Sequence, residues 1–175
     1  MEIKKDIFDK IESELAELLL HTEFVRRKDE KMGQLERSAY RLLAELSEKG
    51  PKGINALAEQ FLLDKSTISR QTAALVSKGL IRRIPDPKEG RISLLEITPM
   101  GLEQLHEVRT ARKTLYHKLM KHWPEKDRKQ FESYLMRLNK SFIEILQGEK
   151  DIQRKKENNV STGDEQNGNL STNGA

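Results

Sequence analysis

The chain has 175 residues, 34% of them charged and 5% aromatic, with a formal net charge of +4 and no cysteine. That length suffices for one domain with a real core, and the composition favours long, surface-rich helices over a β-barrel or an enzyme with a large aromatic pocket. Without cysteine, disulfides, thiolate metal sites, a cysteine nucleophile and a thiol redox sensor are excluded.

From Ile3 to about Lys31, apolar side chains at Ile7, Ile11, Leu15, Leu18, Leu19, Phe24 and Val25 mark one side of a helix whose remainder is charged. The start of the chain has no apolar run of signal-peptide length, and no stretch approaches the ~18 apolar residues of a membrane span. A soluble, cytoplasmic protein without membrane partners is expected. A second helix is predicted from about Gln34 to Glu48, with Leu35, Ala39, Leu42, Leu43 and Leu46 on one face. It ends where Gly50 and Pro51 break it.

A short third helix over "INALAEQF" presents Ile54, Leu57, Ala58 and Phe61. After the tight connection "LLDK" comes a fourth helix, with Asp64 or Ser66 as cap and Ile68, Thr72, Leu75 and Val76 as its buried face. Gly79 stands where a left-handed residue closes a helix. "LIRRIP" then reads as a strand, "DPKEG" as a turn and "RISLLEI" as the returning strand, with Ser93, Leu95 and Ile97 on one face. Thr98 as N-cap and Pro99 at the first helical position restart a helix that runs to about His122. Pro124 opens a last helix in which Phe131, Leu135, Leu138, Phe142 and Ile145 repeat like a coiled-coil seam. From Gly148 onward little is available to bury, and a disordered tail over 148–175 is expected.

Charge is concentrated in one place. Between Lys65 and Arg91 there are seven basic and two acidic residues, a local net of +5 that leaves the rest of the chain near −1. Such a local field suits a phosphate-binding surface. Within it, a brace helix, a tight turn and a second helix with a polar leading edge match helix-turn-helix spacing. The first turns of a helix entering a major groove need short side chains that donate and accept hydrogen bonds. Ser66, Thr67 and Ser69 suit phosphates, sugars and base edges; Gln71 suits an adenine edge, and Arg70 a guanine edge or a phosphate. Lys65 adds charge, and the helix N-terminus favours a phosphate. Taken alone, the hydroxyl cluster is equally a solvated helix start. The brace helix and the basic hairpin beside it tip the reading to DNA. The hairpin has the form of a wing, with Lys88 and Arg91 at its tip, Arg91 suited to a narrow minor groove, and Glu89 placed to orient it.

At these residues the sequence resembles the MarR family of winged helix-turn-helix regulators. Leu57 and Ala58 meet the family's Leu-Ala in the brace helix. Ser66, Thr67, Ser69 and Arg70 meet its Ser-Thr-x-[Ser/Thr]-Arg, and Lys78, Gly79, Leu80 and Ile81 its Lys-Gly-Leu-[Val/Ile]. The wing Asp-Pro-x-Asp-Arg-Arg is met by Asp86, Pro87 and Arg91, with Glu89 replacing the aspartate and Gly90 the first arginine; Ile97, Thr98 and Gly101 follow the family's strand end. The minor-groove role is therefore carried to Arg91 alone.

The resemblance implies a mostly α fold (α+β winged helix): a single MarR-type domain over 1–147, with the winged helix-turn-helix DNA-binding domain at 34–101. It also implies a helical dimerisation domain from the N- and C-terminal helices, 3–31 and 99–147. The expected protein is a homodimeric repressor of transcription that binds double-stranded DNA at a near-palindromic operator. The family further implies a small aromatic or phenolic effector between dimer and winged regions, near His21, Phe24, Tyr40 and His106. No cofactor and no metal are expected: His117 and His122 are five apart, which does not align ligands on one helix face. No nucleophile–base constellation converges, so no enzyme is expected. A winged-helix protein-interaction module that does not touch DNA is the alternative, and it would carry an acidic or apolar wing.

Overall fold

The computed structural model describes residues 6–164, with 151 and 153–164 described as helical backbone. The elements run α1 (Ile7–Lys28), α2 (Glu30–Gly33), α3 (Arg37–Lys49), β1 (Lys52–Gly53), α4 (Ile54–Phe61), α5 (Lys65–Ser77), β2 (Ile81–Pro85), β3 (Ser93–Ile97), α6 (Pro99–Leu119) and α7 (Glu125–Asp164). The expected architecture, mostly helical with a small antiparallel sheet, is what is found. Among the described residues no helix is long and apolar enough to cross a membrane.

Asp6 opens α1 with a capping box, its own N–H donating to the Asp9 carboxylate at 2.8 Å. The expected unbroken helix to Lys31 stops at Asp29. There the Asp29 N–H closes α1 on the Val25 carbonyl at 2.9 Å, and its carboxylate accepts from the Met32 N–H at 2.9 Å to cap α2. An aspartate offering a cap outcompetes continuation of the helix.

Packing divides the described residues into two compact units, one of 6–58 with 64–121, the other of 59–63 with 122–164. The core of the first is aliphatic: Leu42, Leu43 and Leu46 of α3, Leu57 of α4, Ile68 and Leu75 of α5, Leu95 of β3, and Leu105 and Val108 of α6 are all buried. Thr72 is the buried polar member of this core, and its hydroxyl donates to the Ile68 carbonyl at 2.8 Å. Val76, expected with these residues, is half-buried.

The sheet order is β1-β3-β2, both pairs antiparallel. The hairpin is as expected, although β3 begins at Ser93 rather than Arg91. Strand β1 was not expected: two residues, Lys52 and Gly53, pair with Leu95 and Leu94, and so short a strand has no alternation to read.

The second unit is dominated by α7, 40 residues and about 60 Å long at 1.5 Å per residue. Trp123 meets Phe131 edge to face, with centroids 5.5 Å apart. The expected disorder from Gly148 is corrected over 148–164, which are helical; 165–175 lie outside the described residues. A helix already nucleated propagates at small cost through Glu, Lys, Gln and Arg.

Candidate nucleic-acid interface

Helix α5 buries Ile68, Thr72 and Leu75, so the 100° step per residue turns Ser66, Arg70, Ala73, Ala74 and Ser77 outward. Lys65, Ser66 and Arg70 are exposed, and Thr67, Ser69 and Gln71 are half-buried along the flanks of that face. All six polar residues singled out in the sequence thus lie on the leading turns, outward or flanking. Asp64 holds the N-cap position, but its carboxylate makes no cap hydrogen bond, and Ser66 lies inside the helix. The first N–H groups of α5 therefore lack a side-chain cap, and the positive end of the helix stays open.

Two backbone features flank this helix in sequence. Leu62, between α4 and α5, takes φ of 56°, a left-handed conformation uncommon for a leucine. At the far end Gly79, with φ of 70°, closes a Schellman motif. Its N–H donates to the Val76 carbonyl at 2.9 Å, and the Leu80 N–H to the Leu75 carbonyl at 3.0 Å.

The wing tip is built by backbone. The Asp86 N–H donates to the Ile92 carbonyl at 2.8 Å, and the Asp86 carboxylate accepts from the Lys88 N–H at 2.8 Å. Lys88, Glu89, Gly90 and Arg91 are all exposed. The expected contact of Glu89 with Arg91 is absent: among the described residues no hydrogen bond or ion pair joins them. Along β2 the two arginines differ. Arg82 faces Glu96 across the ladder and binds its carboxylate at 2.6 Å, whereas Arg83 is exposed and, among the described residues, has no hydrogen-bond or ion-pair partner.

The four residues expected about an effector are not brought together. A cleft of ≈ 470 Å³, bounded by the end of α1, α2 and one face of α6, is lined by Val25, Met32, His106, Thr110 and Leu115 among others. His106 alone of the four lines it. His21 is exposed beside Glu17, Phe24 carries the Lys28 ammonium 4.4 Å from its ring, and Tyr40 lies under the Arg112 guanidinium at 3.8 Å. Helix rotation, set by packing, turns these side chains onto different faces. Among the described residues no group of three or more His, Asp or Glu side chains could hold a metal ion.

The MarR family model matches residues 35–93. The chain is 41% identical over 134 residues to the uncharacterized HTH-type transcriptional regulator YxaD of Bacillus subtilis (strain 168), an alignment covering 77% of this chain and 94% of that one. It is 26% identical over 82 residues to the HTH-type transcriptional repressor IacR of Pseudomonas putida, across 47% of this chain and 49% of that one. Among solved structures, the PcaV transcriptional regulator of Streptomyces coelicolor, in complex with its natural ligand, aligns with a TM-score of 0.57 and 22% identity. That match covers 72% of this chain and 89% of PcaV. At that identity the likeness is one of fold.

Proposed function

The chain belongs to the MarR family of winged helix-turn-helix transcriptional regulators, and on that premise we propose that it is a homodimeric, sequence-specific repressor that a small molecule releases from a near-palindromic operator. The observation that carries the DNA reading is the outward face of α5. Ser66 and Arg70 sit on an uncapped helix start, next in the fold to a hairpin tipped with Lys88 and Arg91. In this reading the first turns of α5 enter the major groove, Arg70 and Gln71 read base edges, the hydroxyls hold phosphates and sugars, and Arg91 enters the adjacent minor groove.

The dimer is supported by what one protomer leaves uncovered. None of the 22 residues of α1 is buried, although a helix in a protein draws most of its stability from packing an apolar face. Phe8 of α1 is 72% exposed and Phe142 of α7 is 53% exposed. Each such side chain gains about 1.5–3 kcal/mol on burial, so a second copy covering these stripes stabilises both. Two-fold symmetry then sets two α5 helices one turn of DNA apart, ~34–36 Å.

Repression follows the naming of IacR. An effector is supported by PcaV, a fold relative solved with its natural ligand; its aromatic or phenolic character is what the family resemblance implies. The cleft lined by Met32, His106 and Leu115 is its proposed seat.

Selection of bound duplexes from a random pool tests the reading. The enriched sequences are expected to hold inverted repeats one turn apart, and candidate phenolics to release them. Enrichment of no sequence, together with a single-protomer mass in sedimentation at micromolar strength, overturns it.

A further inference from the structure

A protein with a helix in one major groove and a wing in the neighbouring minor groove must straddle the phosphate ridge between them. In this chain the segment that spans from α5 to the wing tip is β2, so its outward charges decide what meets that ridge.

Strand pleating sorts them. Ile81, Arg83 and Pro85 share one face of β2, opposite Ile97, Leu95 and Ser93. Ile81 and Leu95 are fully buried there, and β2 packs against α5. Arg82 and Ile84 share the other face, where Arg82 is held by Glu96 at 2.6 Å. Arg83 thus leaves the strand on the α5 side, just beyond the buried pair, yet its side chain is exposed and has no partner among the described residues. The adjacent arginines are not equivalent: the charge of one is answered within the protein, and that of the other is not.

We infer that Arg83 is a phosphate-clamping residue, engaging the DNA backbone between the groove filled by α5 and the groove filled by the wing, and that Arg82 is not. This inference rests on the proposed DNA reading. A guanidinium binds a phosphate by two parallel hydrogen bonds, which fixes register without reading sequence. Arg83 would therefore set how the winged region sits on the duplex, while α5 and Arg91 choose the site.

Equilibrium titration of the full chain onto its selected duplex and onto a scrambled duplex, across a salt series, tests this. Each phosphate contact contributes about 0.9 to the slope of log affinity against log salt. Arg83→Ala is expected to make the parent slope shallower by about 0.9 and to weaken both duplexes by the same factor, with an unchanged unfolding midpoint. Arg83→Lys should restore the slope, and Arg82→Ala should leave it at the parent value. A parent-like slope in Arg83→Ala overturns the inference while leaving the DNA reading standing, as does a changed ratio between the two duplexes. A parent slope near zero overturns the DNA reading itself, and the inference with it.

Discussion

The Thr98 hydroxyl donates a hydrogen bond to the Gly79 carbonyl at 2.7 Å and accepts one from the Gly101 N–H at 3.1 Å. The Thr98 N–H donates to the Leu80 carbonyl at 3.0 Å. One residue therefore caps α6 and ties its first turn to the exit of α5. Gly101 allows the approach: a Cβ there would stand 2.1 Å from the Leu80 oxygen. Because α6 also lines the cleft at His106, this latch joins the helix of the proposed effector seat to the exit of the proposed DNA-reading helix.

Thr98→Val keeps the shape and removes the hydroxyl, leaving a helix N–H and a carbonyl unmet. A loss of about 1–2 kcal/mol in urea unfolding is expected. Gly101→Ala forces the backbone apart and should cost more, about 2–3 kcal/mol. Equal stability of both variants with the parent would show that the latch contributes nothing.

Glu23 predicts a pH dependence. Hydrogen bonds from Arg26 and then Arg27 hold its carboxyl at about 2, below the ordinary 4.5. Its Oε2, which also accepts from Arg26 Nε at 3.1 Å, meets the Arg37 guanidinium at 3.2 Å, joining α1 to the first turn of α3. A depressed carboxylate stabilises the fold above its unfolded pKa, and that contribution fades as pH falls through the folded value. The stability advantage of the parent over Glu23→Gln should be constant from neutral pH to just above 4.5, shrink below that, and vanish only below about 2. Thermal melts across that range measure it. An advantage that persists at the acid end would contradict the assignment.

Arg70→Ala and Arg91→Ala separate the two grooves. Arg70→Ala should cost about 1–3 kcal/mol of duplex affinity and relax preference at the base pair it reads. Arg91→Ala should cost less and relax preference in the flanking A·T-rich segments, where a narrow groove favours arginine. Binding measured on a panel of single-base variants checks both; parent-like profiles in both proteins would exclude the docking.

Charge placed on the α7 stripe tests the dimer. Leu138 and Phe142 are exposed in the protomer, so Leu138→Asp with Phe142→Asp should leave the helical content of the chain intact. In the proposed dimer those positions would be buried, and an unpaired buried carboxylate costs several kcal/mol. Sedimentation should shift from two copies to one. An unchanged mass would place the contact elsewhere.

Much of this protein was legible residue by residue. The bounds of α4, the left-handed Gly79, the turn after Asp86 and the Thr98–Pro99 restart all depend on caps, turn chemistry and short apolar periods, which act within a few residues. The outward set Lys65, Ser66 and Arg70 followed from the same periodicity. Other features were decided only in three dimensions. Asp29 splits the first helix because its carboxylate reaches Met32 rather than solvent. β1 exists only because β3 stands beside Lys52 and Gly53. Helix rotation put His106 on the cleft and Tyr40 under Arg112. Arg82 and Arg83, identical and adjacent in sequence, part company because strand register sets Glu96, fourteen residues on, opposite the first and buried Leu95 opposite the second. Local preference selects the elements; which charges remain unanswered depends on pairings between distant residues, and those exist only once the chain has closed on itself.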